Sequence, residues 1–330
     1  MILNLTRREV LRNRFYSQLC KFTIMEQSKM LKLVKDCIPA LDETHHKGQA
    51  GRIGVVGGSL EYTGAPYFAG ISSLKVGADL AHIFCSKPAA IVIKSYSPEL
   101  IVHPLLDEPN AIDNISPWLE RLHVIVIGPG LGRDKITFEV VEQLMNVIRE
   151  KQIPLIIDAD GLFLITEKPE LISNFMSPVV LTPNKIEFER LFNKINGYSG
   201  LKSLGVNITI LKKGQIDELY SSDSNLQWKF NIGGSGRRCG GQGDLLSGSI
   251  ATFLHWTLAS VDKIDFKASN KSLLAASLSC FAASTLIRSC NAKAFEKKGR
   301  SMLASDMIEH IHDGFYLYYK QTSDLPLHLK

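Results

Sequence analysis

The residues best placed to do chemistry lie in the run Gly233, Gly234, Ser235, Gly236, Arg237, Arg238, Cys239, Gly240, Gly241, Gln242, Gly243, Asp244, which leads straight into the apolar stretch Leu245 to Leu258. Glycines let the backbone approach a ligand closely. Free N–H groups at the start of a helix, where the dipole is positive, favour phosphate. The bland alternative is a flexible loop with Asp244 as an N-cap, a common task for Asp. A carboxylate beside a phosphate site repels its ligand unless it has other work. Accepting the proton of a hydroxyl that attacks phosphorus is such work, and it would make Asp244 a general base.

A second group, Thr182, Pro183, Asn184, Lys185, Ile186 and Glu187, follows the apolar run Val179 to Leu181. Ligands of open α/β sheets bind beyond the carboxyl ends of strands, so Asn184 and Glu187 are placed to hold a hydrated magnesium ion. The same two residues also read as a turn residue and a capping acid of a helix. A third group, Gly128, Pro129, Gly130, Leu131, Gly132, follows the strand His123 to Ile127. Its last glycine comes one residue early for a dinucleotide fingerprint, and Asp158 lies too far on to meet a ribose, which disfavours a hydride-transfer domain. No G-x-x-x-x-G-K-[ST], H-E-x-x-H or G-x-S-x-G motif is present, which removes P-loop NTPases, zinc proteases and serine hydrolases. The doublet His45 and His46 reads as solvated.

Elements that could position these groups alternate along the chain. Strands are expected at Arg52 to Val56, Leu80 to Cys85, His123 to Ile127, Leu155 to Asp158, Val179 to Leu181 and Ile208 to Leu211. Helical spacing marks Met30 to Ala40, Ala65 to Val76, Lys135 to Lys151, Leu245 to Leu258 and Leu273 to Ile287. The alternation predicts an α/β fold, a parallel sheet with helices on both faces. Between Glu218 and Ile232 two short runs around Ser221 to Asn225 read as a hairpin or meander. No repeat or composition break occurs between residues 45 and 315, so one domain is expected over 30–320, with an extension at 1–29 and a tail at 321–330.

The 330 residues carry a formal charge of +5, with 45% hydrophobic and 22% charged residues, the composition of an ordinary globular chain. The excess charge sits at the front. Arg7, Arg8, Arg12, Arg14 and Lys21 face only Glu9 there, so the body is nearly neutral and a nucleic-acid partner is not expected. The same segment is Arg-rich and interleaved with Leu5, Val10, Leu11, Phe15 and Leu19, the composition of a mitochondrial transit peptide. Met25 would offer a second start and a cytoplasmic form. No apolar run reaches the ~18 residues that span a bilayer, so no membrane partner is expected. The six cysteines, Cys20, Cys37, Cys85, Cys239, Cys280 and Cys290, show no zinc spacing and read as reduced thiols.

Taken in order, Gly240 to Asp244, Asn184 to Glu187, Lys213-Gly214 and Gly128 to Gly132 resemble the ribokinase-like superfamily. Lys47-Gly48, Tyr62 to Pro66, Asp158 to Leu162, and Gly299 to Ser301 with Asp306 to Ile308 bring the resemblance closest to its ATP-dependent NAD(P)H-hydrate dehydratases, over roughly residues 40 to 315. The resemblance implies a ribokinase-like three-layer α/β/α fold with a central, mostly parallel sheet. It implies a lyase that uses ATP and Mg2+ to dehydrate the (6S)-hydrate of NADH or NADPH. Asp244 would be the base. Gly130 and Asn184, Lys185, Ile186, Glu187, Phe188, Glu189 and Arg190, with Asp244, would contact the hydrate. Lys213, Gly214, Gln215, Ile216 and Asp217, with Gly234 through Gly243, would hold ATP. Magnesium would sit near Asn184 and Glu187, mainly through water.

Gln242 stands where many superfamily members carry Ala or Thr, and the Arg237-Arg238 pair is not general among them. Both point to the ATP-using eukaryotic branch, with the arginines as phosphate clamps. The family also implies a functional link to an NAD(P)H-hydrate epimerase, and a homo-oligomer is left open. Two rivals stand beside this reading: a kinase of the same superfamily acting on a vitamin-precursor alcohol such as hydroxyethylthiazole, and a catalytically silent nucleotide-binding scaffold.

Overall fold

A computed structural model of the chain describes residues 27–41, 46–197, 202–223, 226–266 and 268–320. The basic N-terminal segment, His45, residues 224–225 of the expected hairpin and the tail 321–330 lie outside the described residues. Among the described residues, nine strands form one sheet in the order β3-β2-β1-β4-β5-β6-β7-β8-β9. They are β1 (Arg52–Val56), β2 (Leu80–Cys85), β3 (Leu100–Pro104), β4 (Val124–Ile127), β5 (Leu155–Ile157), β6 (Val179–Leu181), β7 (Ile208–Lys212), β8 (Asp217–Ser221) and β9 (Trp228–Phe230). Strands from β3 across to β7 pair in parallel, and β8 and β9 close one edge as an antiparallel meander.

The helices are α1 (Gln27–Lys35), α2 (Gly64–Val76), α3 (Lys87–Tyr96), α4 (Ala111–Leu119), α5 (Lys135–Glu150), α6 (Ala159–Glu167), α7 (Lys185–Lys194), α8 (Gln242–Ser260), α9 (Lys271–Lys298), α10 (Ala304–Ile308) and α11 (Ile311–Tyr319). Because side chains alternate across a strand, each strand feeds two cores. Val124 and Val126 of β4 enter one with Ile53 and Val55, under α2, α8 and α9. Ile125 and Ile127 enter the other, under α4, α5, α6 and α7. This is the expected layered α/β arrangement.

Sequence periodicity located every parallel strand but β3. It gave no sign of α3, α4, α6 or the C-terminal helices, and α7 showed only through the capping reading of Asn184 and Glu187. Helix α1 begins three residues earlier than the spacing of Met30 to Ala40 predicts and ends at Lys35. The membrane reading is amended in one respect: the helix over Lys271–Ser301 is long and apolar enough to span a bilayer, yet 94% of its apolar window is buried inside the protein. It is apolar all round because both α8 and the sheet cover it.

The chain runs outward through β1, β2 and β3, then returns to the middle to begin β4. The strand order therefore reverses between β1 and β4, and a crevice opens at their carboxyl ends. The loops that leave these two strands touch backbone to backbone. The Gly58 amide donates to the Gly130 carbonyl at 3.0 Å. A Cβ added to Gly57 would lie 2.1 Å from the Pro129 carbonyl oxygen, so no other residue fits there.

Candidate active site

Three loops at the carboxyl ends of β4, β5 and β7 converge on the first turn of α8. The β5 loop supplies Asp158, whose side chain is buried and accepts a hydrogen bond from Lys213 Nζ at 2.9 Å. The β4 loop is pressed against it: a Cβ on Gly128, at φ 123°, would sit 1.8 Å from the Asp158 carbonyl oxygen. Gly243 abuts the ion pair, for a Cβ there would lie 3.2 Å from Lys213 Nζ and 3.8 Å from Asp158 Oδ2. Asp244 is the next residue.

Asp244 is not the N-cap. Gly241 holds that position at φ 88°, and Asp244 lies in the first turn. A left-handed cap is cheap only for glycine, and a Cβ there would strike Phe68 and Ala304. Burial raises the Asp244 carboxyl to about 7, the charge of Asp158 adds to the rise, and Lys213 opposes it. Burial works against the Lys213 ammonium, but Asp158, then Glu187 and Asp244, outweigh it and its pKa is raised. Lys213 is thus a fixed cation beside a carboxyl poised near neutrality, the condition that suits a general base.

The glycine-rich loop before α8 is held from α9. Asn291 accepts from the Ser235 amide at 2.6 Å and donates to the Arg237 carbonyl at 3.3 Å. Arg238 Nη1 donates to the Ser235 carbonyl and Arg237 Nη1 to the Arg238 carbonyl. Arg237 Nε is buried with no acceptor among the described residues. The Ser235 and Arg237 amides are spent on Asn291 and on Ser235 Oγ, so the loop can offer an anion only its remaining amides and the exposed ends of the two guanidinium groups. Gln242 Nε2 reaches the Arg237 carbonyl and Cys239 Sγ, so both side chains brace the loop.

The turn between β7 and β8 carries Lys213, Gly214, Gln215 and Ile216, with Ile216 exposed. Asp217 closes it from within. Its carboxylate accepts from the Gly214 amide, from Ser284, and twice from Arg288, at 2.9 Å through Nε and 2.7 Å through Nη2. Its carboxylate therefore shapes the turn and is not itself open to a ligand.

Of the two readings of Asn184 and Glu187, the capping one is the geometry present. They form a capping box at the start of α7: Asn184 Oδ1 accepts from the Ile186 and Glu187 amides, and Glu187 Oε2 accepts from the Asn184 amide at 2.8 Å. Burial raises the Glu187 pKa, and Lys213 beside it works the other way. Glu187 Oε1 is the oxygen that the capping box does not use. Among the described residues, no group of three His, Cys, Asp or Glu side chains gathers to hold a metal directly. That donor set fits hydrated magnesium completed by phosphate oxygens rather than a protein cage. In the rest of the segment Lys185, Ile186, Glu189 and Arg190 are exposed, while Phe188 is buried and stacks on Phe192 and Tyr220. Phe188 therefore belongs to the core, and its amide is taken by the Asn184 carbonyl, so the structure does not place it at a ligand.

Gly130, at φ 61°, packs directly on the Tyr62 backbone, and the Tyr62 side chain is 57% exposed. Sequence reasoning had not ranked Asp158, Asp160, Arg288 or Asn291 as site residues. Asp160 accepts from the Gly132 amide and from Arg133, and its charge also reaches Asp244. The rule that singled out Asn184, a polar residue just beyond a strand, applies equally to Asp158 and would have found it. Arg288 and Asn291 sit in a helix that is apolar on all sides, where no local pattern sets them apart.

Residues 53–313 match the family model described as NAD(P)H-hydrate dehydratase. The chain is 54% identical to the ATP-dependent (S)-NAD(P)H-hydrate dehydratase of Aedes aegypti over 88% of its own length and 85% of that protein's. It is 48% identical to the human protein of that name, over 89% and 85% of the two lengths. Among solved structures, the ADP/ATP-dependent NAD(P)H-hydrate dehydratase of Bacillus subtilis, co-crystallised with ATP/Mg2+, aligns with a TM-score of 0.63 at 19% identity over 87% of this chain and 97% of its own. Giardia lamblia ribokinase aligns with a TM-score of 0.55 at 11% identity, over 80% and 99% of the two chains. These two structures establish a ribokinase-like fold, and the sequence matches establish more: the chain belongs to the NAD(P)H-hydrate dehydratase family.

Proposed function

We propose that the protein dehydrates the (6S)-hydrate of NADH or NADPH at the expense of ATP, giving ADP, phosphate and the restored dinucleotide. The observation that carries the chemistry is Asp244, a carboxyl raised to about 7 in the first turn of α8, between the glycine-rich loop and the Asp158–Lys213 pair. Hydroxide leaves carbon poorly, whereas a phosphate ester on the same carbon leaves well. Asp244 accepts the proton of the hydrate's C6 hydroxyl, and its oxygen bonds to the γ-phosphorus as ADP departs. The ring nitrogen lone pair then expels phosphate, and loss of the C5 proton restores the C5–C6 double bond.

The chain's part in this is positioning and charge. The remaining amides from Gly234 to Gly243, the Arg237 and Arg238 guanidinium groups and the Lys213–Asp217 turn hold the triphosphate. Gly130, Tyr62 and the start of α7 hold the hydrated ring. Magnesium, when bound near Asn184 and Glu187, supplies neutralisation of the phosphate charge. Residues 30–320 act as one catalytic domain. The basic N-terminal segment directs the chain to mitochondria, and initiation at Met25 yields a cytoplasmic form; N-terminal sequencing of each fraction tests this.

The activity is tested by incubating the protein with ATP, Mg2+ and hydrated NADH. Return of dihydronicotinamide absorbance with stoichiometric ADP supports the reading. Accumulation of a phosphorylated alcohol, with the hydrate untouched, would instead establish the small-molecule kinase.

A further inference from the structure

The proposed reaction moves two protons, and Asp244 accounts for only the first, that of the C6 hydroxyl. The second leaves C5 after phosphate has gone. At that point the ring is an iminium ion, N1=C6, and water adds to C6 and remakes the hydrate unless a base first removes the C5 proton. A site that returns one dinucleotide for each ATP therefore needs a second acceptor, within reach of the carbon next to the one that bore the phosphate.

Two carboxylates have charges that reach Asp244, Asp158 and, more weakly, Asp160. Asp160 is fully engaged: its Oδ2 accepts from the Gly132 amide at 3.1 Å and its Oδ1 from Arg133 Nε at 3.0 Å. Asp158 is not. Lys213 Nζ holds its Oδ1 at 2.9 Å, and among the described residues nothing donates to its Oδ2. That oxygen belongs to a side chain only 2% exposed. It faces the first turn of α8, 3.8 Å from the place a Cβ on Gly243 would take, so the bare glycine leaves room beside it. A buried carboxylate oxygen without a donor is costly, and it calls for a task that repays the cost.

The backbone is strained to keep that oxygen bare. Asp158 stands at the N-cap of α6, where an Asp ordinarily accepts from the helix's own amides, yet it makes no such bond. The chain leaves it through Ala159 at φ 46°, a left-handed conformation uncommon outside glycine. The main chain of Asp158 is also clamped: its amide donates to the Ile127 carbonyl at 3.0 Å and its carbonyl accepts from the Gly161 amide at 2.9 Å. The result is a carboxylate turned away from capping, with one oxygen on a fixed ammonium and the other aligned in advance toward the site.

We infer that Asp158 Oδ2 is the second acceptor and takes the C5 proton of the iminium ion. The inference rests on the function proposed above. The C6–O pair leaves with phosphate as the nitrogen lone pair forms N1=C6. Asp158 Oδ2 then bonds to the C5 hydrogen, the C5–H pair becomes the C5–C6 double bond, and the N1=C6 pair returns to nitrogen. Of the two protons removed, one departs on phosphate and the other passes to water. Asp244 and Asp158 thus divide the reaction, one serving phosphorylation and the other the elimination that follows it.

The test counts ADP formed against dihydronicotinamide restored. In the wild type the ratio is one. Asp158→Asn still phosphorylates the hydrate and expels phosphate, but water returns much of the iminium ion to the hydrate, so the ratio rises to about three or more. Deuterium at C5 of the hydrate raises it further. Asp158→Glu keeps a carboxylate for Lys213, and with it the folded state read by thermal unfolding, while it displaces the free oxygen by about one carbon–carbon bond; its ratio rises as well. A ratio is blind to whatever either change does to Asp244, because it compares two products of the same turnover. A structural role for Asp158 slows both products in step, so a ratio that stays at one in the Glu variant, at reduced rate, would overturn the inference and leave the activity intact. A wild-type protein that turns over no hydrate would overturn the functional reading and this inference with it.

Discussion

Two opposing demands meet at Asp244: it must be charged to take a proton, yet it sits half-buried beside Asp158 in a place meant for phosphate. Burial and Asp158 raise its pKa from 3.8 to about 7. In the free enzyme kcat/KM should therefore climb with pH, tenfold per unit below about 7, and level off above it; a flat profile from pH 5.5 to 8 would show that another group takes the proton. Asp244→Asn should leave ATP binding in place and lower turnover by about 10²–10⁴-fold, the usual worth of a positioned base, measured as release of phosphate from ATP in the presence of the hydrate. Stability should move the opposite way. A carboxyl whose folded pKa lies above its unfolded one keeps a proton that the unfolded chain releases. Its ionisation therefore costs nothing below pH ~4, and the cost grows until it is complete above about 7. With solvent access allowed for, Asp244→Asn should stabilise the protein by about 2 kcal/mol at pH 8 and leave it unchanged near pH 4, read from urea midpoints.

The elements that hold the loops are where the sequence was least legible. Strands Arg52–Val56, Leu80–Cys85 and Val179–Leu181 fall where the apolar runs place them, because buried parallel strands are continuous apolar segments. β3 escaped because it is an edge strand that carries His103 and ends at Pro104, a residue tolerated only at such edges. The glycine-rich loop, the Asn184 turn and the Lys213 turn were visible as motifs, since each needs special backbone chemistry. Their support from α9 was not, because Ser284, Arg288 and Asn291 become partners of distant loops only through the tertiary fold. That support has measurable weight. Arg288 also donates to the Gly214 carbonyl at 2.7 Å, and Gly233 and Gly234 pack on it, so one side chain ties the β7–β8 turn and the glycine-rich loop to one helix. Arg288→Ala would strand Asp217, buried and charged, and should cost about 3–5 kcal/mol in chemical denaturation. Asn291→Ala leaves no charge behind; it should raise KM for ATP about tenfold with little change in KM for the hydrate, and an equal rise in both would argue against a role confined to the phosphate loop.

At the scale of the whole molecule, the site depends on how closely α8 crosses α2. Gly248, one turn beyond Asp244, faces the Ala69 carbonyl oxygen so tightly that an added Cβ would lie 1.9 Å from it, and Thr252 Oγ1 donates to the Ser73 carbonyl one turn further on. Helix α2 begins at Gly64, just after the Tyr62 that faces Gly130. The crossing therefore fixes Asp244 on one helix relative to Tyr62 at the start of the other, near the point where the strand order reverses. The sheet order could not be read from the chain, because alternation of strand and helix fixes parallel pairing but not which strands are neighbours. Even a methyl group at Gly248 must push the helices apart against backbone, and Gly248→Ala should destabilise the protein by about 1–3 kcal/mol. ATP with Mg2+, bound by the folded chain as proposed above, should return most of that loss by mass action, about 2.7 kcal/mol at a hundredfold excess over Kd. Thermal unfolding of the wild type, Gly248→Ala and Asp244→Asn, each with and without ATP and Mg2+, checks this directly. All three should gain similar stability from the nucleotide, and a wild type whose Tm ignores it would show that the glycine-rich loop before α8 is not where ATP binds.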